Sequence, residues 1–147
     1  MDEIDRAILR ALREDGRISI AALAEAVNVS RTNAYARIDR MRELGVIEGF
    51  SARTNSRKLG LGVSAVILVK VRQPARPALL EPLRQIEAIE YCGFVSGDYD
   101  LIVIARGTDV ETLRDSVVWK LEAEDTVVST NTILVLDEVI HRPYVLP

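Results

Sequence analysis

The chain has 147 residues, 48% hydrophobic and 28% charged, with a net charge of −3, a mix that suits an ordinary soluble globular protein of one domain or two small ones. The longest apolar runs, 63–71 and 101–105, are of strand length and flanked by charge, so a membrane span is excluded. The opening MDEIDRAIL is acidic where a secretory signal would be basic, and a cytoplasmic setting is expected.

Residues 1–50 read as three helices. The first, with Ile4, Ile8, Ala11 and Leu12 on one side, is expected from near Asp2 to Glu14 and to end at Gly16. In the second, Ile20, Leu23, Ala24 and Val27 fall at i, i+3, i+4 and i+7, one helical stripe. The chain must then reverse at Val27-Asn28-Val29, where Asn tolerates left-handed backbone better than any residue but Gly. Ser30 is placed to cap a third helix whose inward stripe is Ala34, Ile38, Met41 and Leu44 and which Gly45 stops. Arg31, Thr32, Asn33, Tyr35, Ala36, Arg37 and Arg40 are left pointing outward. This is a helix-turn-helix in a winged-helix-like arrangement, and its third helix carries side chains suited to base edges and phosphates in a major groove.

Any three-helix domain has such stripes, and a charged helix is usually a solvated face. The distribution of charge favours nucleic acid. Residues 28–60 carry seven basic side chains against three acidic ones, a local +4 within a chain that is −3 overall, as a localised phosphate contact requires. Arg31, Thr32, Asn33 and Tyr35 occupy the first turns, where bases come within reach, while Arg37 and Arg40 lie further along and are expected on phosphates.

Residues 51–62, SARTNSRKLGLG, read as a polar, basic linker. The period then changes to alternation, with Val63, Ala65, Ile67, Val69 and Val71 on one strand face and Ser64, Lys70 and Arg72 opposite. Pro74 and Pro77 end that strand. Leu79, Leu80, Leu83 and Ile86 mark a helix in which Pro82 predicts a late start or a kink. Strands over 91–96 and 101–106 join through Gly97-Asp98-Tyr99-Asp100 as a hairpin. Thr108 and Glu111 fit a capping box for a helix with the buried stripe Val110, Leu113, Val117 and Leu121, and a last strand is expected from about Val127 to Val139. The predicted fold class is therefore α+β, an N-terminal helix-turn-helix domain over 1–50, a linker over 51–62 and a C-terminal ferredoxin-like βαββαβ domain over 63–147.

Few side chains suggest chemistry. Cys92, the single cysteine, excludes an internal disulfide and reads as a small hydrophobe on a strand. His141, the single histidine, has no Cys or His neighbours and reads as structural or exposed, so no metal and no cofactor are expected. Trp119 reads as core or oligomer interface. Gly97 and Asp98 are explained by turn chemistry alone, and Thr130 and Thr132 by ordinary strand packing.

The order and spacing of these motifs resemble the Lrp/AsnC (feast/famine) family of transcription regulators over nearly the whole chain. Asp2, Asp5, Ile8 and Leu9 fit the family's LDxxDxxIL opening, and Gly16-Arg17 the GR that follows. Ser30, Arg37, Met41, Gly45, Val46, Ile47, Gly49 and Phe50 fit the recognition-helix run ending in GVIxGY. Gly97, Asp98, Tyr99 and Asp100 fit the hairpin of the ligand-sensing domain, and Thr130 and Thr132 the TxT of its last strand. Thr54 and Ser56 depart from the usual apolar residue and proline of the linker, and Asn28 from a frequent turn glycine. The resemblance implies a homodimer joined through the sheet domains, assembling to tetramers or octamers, on pseudo-palindromic double-stranded DNA. It also implies a small effector, usually an amino acid, near the hairpin, where Gly97, Asp98, Tyr99, Asp100, Thr130 and Thr132 would line a site completed by a neighbouring subunit.

Three functions compete. The first is a sequence-specific transcription regulator tuned by that effector. The second is an enzyme, because some Lrp-like proteins are sirohaem decarboxylases, but those would use histidines near a tetrapyrrole and only His141 is present. Paired carboxylates in a cleft, a nucleophile with its base and a phosphate loop are also missing from the sequence. The third is a DNA-architectural protein that ignores effectors and binds through phosphates alone.

Overall fold

The computed structural model describes residues 1–72 and 76–140. The chain forms two compact units, the first from Met1 to Arg53 and the second beginning at Thr54. Among the described residues no helix is long and apolar enough to cross a membrane.

The first unit is three helices, α1 (Glu3–Glu14), α2 (Ile20–Ala26) and α3 (Arg31–Glu43). Asp2 caps α1 in a capping box, its carboxylate accepting the Asp5 N–H while the Asp5 carboxylate accepts the Asp2 N–H. Ser19 and Ser30 cap α2 and α3 through bonds from the Ala22 and Asn33 N–H groups. The turn is made by Asn28 at φ +55°, the one non-glycine residue with positive φ among those described. Ile8, Leu9, Leu23, Ile38 and Met41 form the core, each large side chain contributing about 1.5–3 kcal/mol by leaving water.

Leu44 corrects the expected inward stripe: it is 68% exposed. The cause is the helix end. The Val46 N–H bonds the Met41 carbonyl and the Gly45 N–H the Arg42 carbonyl, a Schellman cap with Gly45 at φ +68°. That cap turns the chain back, and Ile47 rather than Leu44 packs on the core.

The second unit opens with a 3₁₀ turn (Arg57–Leu59) and continues β1 (Val63–Val71), α4 (Arg76–Arg84), β2 (Ile89–Phe94) and β3 (Leu101–Gly107). Then α5 (Val110–Leu113) runs through a π-helical segment (Arg114–Val118) into α6 (Trp119–Glu122), and β4 (Val127–Val135) closes the domain. The sheet is antiparallel in the order β2-β3-β1-β4, the ferredoxin-like arrangement. Ile67 on β1 stands opposite Val103 of β3 and Thr132 of β4. Ala65, Ile67, Val69, Leu101, Val103 and Ala105 face Leu79, Leu83, Leu113, Val117 and Leu121 of the helices in a dry core. Strand alternation puts Val66, Leu68, Ile102, Ile104 and Ile133 on the other face, which no helix of this unit covers among the described residues; the first four are only half-buried and Ile133 is exposed.

Several local expectations change. Pro82 lies inside α4 near its end, so the helix does not begin late; it stops two residues later, closed by i→i+3 bonds from Gln85 and Ile86. The first strand ends at Val71, Pro74 lies outside the described residues and Pro77 falls within α4. The cap of α5 is Asp109, not Thr108: its carboxylate accepts the Thr112 N–H at 2.7 Å and the Thr108 hydroxyl at 2.9 Å. Val110, thereby the first helical residue, is exposed rather than buried. The second strand runs over Ile89–Phe94 rather than 91–96, with a bulge between Ile89 and Tyr91, and β4 stops at Val135 rather than Val139. Beyond it Asp137 and Glu138 turn to ion pairs with Arg57 and Arg106. Trp119 is 54% exposed, which removes it from the core, and the Arg114 guanidinium lies 4.6 Å from its ring centre. Cys92 is half-buried and packs on the core, burial pushing its thiol pKa up.

Candidate nucleic-acid interface and effector site

Capping by Ser30 starts α3 at Arg31, so the first turn carries Arg31, Thr32 and Asn33, with Tyr35 following; all four are exposed. Two of their backbone N–H groups lie within the unsatisfied turn of a helix N-terminus, which attracts anions. Ser30 itself is occupied as cap, its hydroxyl accepting the Asn33 N–H at 3.1 Å. Ala34, Ile38 and Met41 bury the opposite side and fix the helix on its unit.

Arg37 does not point outward as expected. Its Nη1 donates to Asp2 at 2.7 Å and to Asp5 at 2.8 Å, its Nε donates to Asn33 Oδ1 at 2.7 Å, and its side chain is only 20% exposed. Arg40 donates to the other Asp5 oxygen at 2.6 Å but stays half-exposed. Asp5 is 0% exposed, so two arginines of α3 neutralise a buried carboxylate on α1. Burial pushes the Asp5 carboxyl pKa up, yet the Asp2 N–H, the Arg37 hydrogen bond and the Arg40 charge outweigh it and the net direction is down. The Asp5 N–H and then Arg37 hold the Asp2 carboxyl down at about 2. The same contacts, Asp2 first, raise Arg37. The Asp5 role had a faint signal in the sequence, an apolar-side position one turn before Ile8 and Leu9, but its partners lie more than thirty residues away.

The hairpin residues divide by role. Gly97 has φ +127° with open space around it, so its glycine answers the turn. Asp98 is exposed, and Tyr99 accepts the Asn131 side-chain N–H at 3.4 Å. Asp100 faces inward, its Oδ2 accepting the Val71 N–H at 2.9 Å. Thr130 donates to Glu122 at 2.6 Å and Thr132 is exposed; both sit opposite core-facing residues of β1, whereas Asn131 stands opposite Leu68 of the uncovered face. Cavities of about 320, 390 and 600 Å³ lie between α4 and α6, beside β2, and around Arg106. None of the three is lined by Gly97–Asp100, Thr130 or Thr132. At the third, Arg106 is buried and bonds both Glu138 and Glu90, which raise its pKa. Among the described residues no His, Cys, Asp or Glu cluster could hold a metal ion, and His141 lies outside them.

Comparison with known proteins bears on both halves. Residues 1–42 match the AsnC-type helix-turn-helix domain, and residues 64–145 match the Lrp/AsnC ligand binding domain. The transcriptional regulator AldR of Mycolicibacterium smegmatis is 35% identical over 140 residues, covering 93% of this chain and 82% of the relative. Among solved structures, AsnC of E. coli superposes with a TM-score of 0.91 at 26% identity, covering 98% of this chain and 97% of that one. A transcriptional regulator of Neisseria meningitidis in complex with L-methionine superposes with a TM-score of 0.88 at 26% identity, covering 96% and 93%. The named relatives are regulators of transcription, which displaces the decarboxylase reading.

Proposed function

We propose that this chain, which belongs to the Lrp/AsnC family of DNA-binding transcription regulators, works in the cytoplasm as a homo-oligomer that reads a pseudo-palindromic operator and responds to an amino acid. The observation that carries the reading is α3, whose exposed first turns present Arg31, Thr32, Asn33 and Tyr35 from a rigid, Ser30-capped start. Arg31 offers a guanidinium fork for a guanine edge, Asn33 and Thr32 shorter hydrogen-bonding groups, and Tyr35 a ring for apolar contact. Arg40 adds charge at the half-exposed edge for phosphate, while Arg37 is committed to Asp2 and Asp5.

The uncovered apolar sheet face supports self-association, since a second copy laid on Val66, Leu68, Ile102, Ile104 and Ile133 would remove that surface from water. Pairing would bring two α3 helices to half-sites about one DNA turn apart. The effector is placed beside Gly97–Asp100 with a neighbouring subunit completing the pocket; the L-methionine complex of the Neisseria structure supports the choice of an amino acid. Asp98 is the exposed carboxylate there to meet an α-ammonium, and Asp100 shapes the loop from within.

The test is selection from a pool of randomised duplex DNA with the full chain, followed by a thermal-shift screen of the common amino acids. A recurring palindrome bound about 10³-fold or more above scrambled DNA is expected. One amino acid at a hundredfold excess over its Kd should stabilise by about 2.7 kcal/mol. Binding that depends only on salt and ignores sequence would instead establish an architectural protein.

A further inference from the structure

We propose that Arg37 is a positioning residue for base recognition, anchored by Asp2, the cap of α1, and by Asp5 within it, and fixing the Asn33 side-chain amide in the orientation α3 presents to DNA. The proposal rests on the reading of α3 as the recognition helix and adds to it a role for Arg37 different from phosphate contact.

Asn33 and Arg37 are one turn apart on α3, and Arg37 Nε donates to Asn33 Oδ1 at 2.7 Å. An exposed Asn amide otherwise rotates freely and offers either its carbonyl or its NH₂ to a partner. Here the carbonyl end is turned onto Arg37, so the NH₂ is the end directed elsewhere, suited to acceptors such as purine N7 or thymine O4. Arg37 is fixed in turn by Asp2 Oδ1 at 2.9 Å and Oδ2 at 2.7 Å, and by Asp5 Oδ1 at 2.8 Å. Asp5 is the end of the chain of contacts: fully buried, it also accepts from Arg40 at 2.6 Å and from the Asp2 N–H at 3.0 Å. Drawing Arg37 away to a phosphate would strip a buried carboxylate of a charged partner, which is costlier than one exposed contact returns. The result is a relay of fixed side chains from the start of α1 to a base-reading residue.

Arg37→Lys separates this role from phosphate binding. Lysine keeps the charge but is a point cation without the planar fork that spans Asn33 and two carboxylates. Selection from randomised duplex DNA with full-length wild type, Arg31→Ala, Asn33→Ala, Arg37→Lys and Arg37→Ala gives each protein's base preferences, and titration of the wild-type selected duplex gives its salt slope. Positioning predicts that both Arg37 variants weaken discrimination at the base pair that Asn33→Ala affects, by about tenfold, with the salt slope of wild type. A phosphate contact predicts wild-type preferences for Arg37→Lys and a slope lower by about one for Arg37→Ala; that result overturns the proposal and leaves the function standing. If Asn33→Ala and Arg31→Ala both bind every duplex as wild type does, α3 is not the reader and both readings fall. Wild-type melting behaviour of Arg37→Lys is expected to within a few degrees, and Asp2→Asn, which loosens the same anchor from α1, is expected to reproduce its loss of discrimination in part.

Discussion

The carboxylate of Asp100 accepts the Val71 N–H at 2.9 Å, while the Asp100 N–H donates to the Val69 carbonyl at 3.0 Å. Pairing of β1 with β3 runs only to Val69 opposite Leu101, so the side chain takes up a main-chain donor beyond the ladder. Asp100→Ala should lower stability by about 1–3 kcal/mol, because a partly buried N–H loses its acceptor. Asp100→Asn keeps an acceptor and should cost less. Urea unfolding measures both, and equal stability of Asp100→Ala and wild type would show that the bond contributes nothing.

Asp98 and Gly97 should separate binding from turn geometry. Asp98→Ala, at an exposed position, is expected to leave melting unchanged while abolishing most of the shift given by the amino acid found in the screen. Gly97→Val should cost about 1–3 kcal/mol through φ +127° alone, since no atom lies near its missing side chain. An Asp98→Ala protein with an undiminished ligand shift places the effector elsewhere.

At Asn28 the backbone stands at φ +55°. Asn28→Gly should be tolerated within about 0.5 kcal/mol, whereas Asn28→Val should lose about 1–3 kcal/mol, because a β-branched side chain crowds the left-handed region. Thermal melts of the two variants give the comparison; similar melting temperatures would show that the turn relaxes.

Acid should loosen the first unit. Asp2 and Asp5 have lowered pKa values in the folded chain, Asp2 falling from its usual 3.8 to about 2. A depressed folded value means that the unfolded chain takes up protons first as pH falls. The stabilisation is whole above about pH 4 and is lost from there down toward pH 2. Loss of helicity on that descent should be less steep in Asp2→Asn, which has already given up its share of the linkage.

Charge on the uncovered sheet face should prevent self-association. Leu68→Glu and Ile104→Glu put a carboxylate among Val66, Ile102 and Ile133 without entering the core on the helix side. Monomers by light scattering are expected for both, with weaker operator binding because paired half-sites are no longer engaged together. A Leu68→Glu protein of unchanged size would move the interface to another surface.

What could be read from the sequence was whatever neighbouring residues decide among themselves. The Asn28 turn, the Ser30 cap and the Ala34-Ile38-Met41 stripe depend on contacts within a few positions, and each appears as expected. Thr108 and Asp109 are both capping types in adjacent places, and composition does not choose between them; the structure chooses Asp109. Leu44 had the right spacing but fell on the cap, where Gly45 redirects the chain. The Arg37 network was hidden for a different reason. Outward spacing on α3 was correct as periodicity, yet the charges that capture the guanidinium belong to α1, and only tertiary packing brings them there. Likewise Asp100 reads as a loop acid until sheet register carries it beside Val71.

The buried Arg106 ends the uncovered face with a feature that apolar residues do not provide. An interface of Val, Leu and Ile alone tolerates sliding, since one methyl group replaces another with small loss. Arg106, clasped by Glu90 on one side and Glu138 on the other, puts a desolvated charge at one end of that surface. A copy that slips along the strands would press hydrocarbon onto the triad and leave its own triad uncovered, a mismatch that grows with each residue of displacement. In the proposed pairing of two copies the greasy centre would supply adhesion, and the ionic end would act as a key that recognises one alignment.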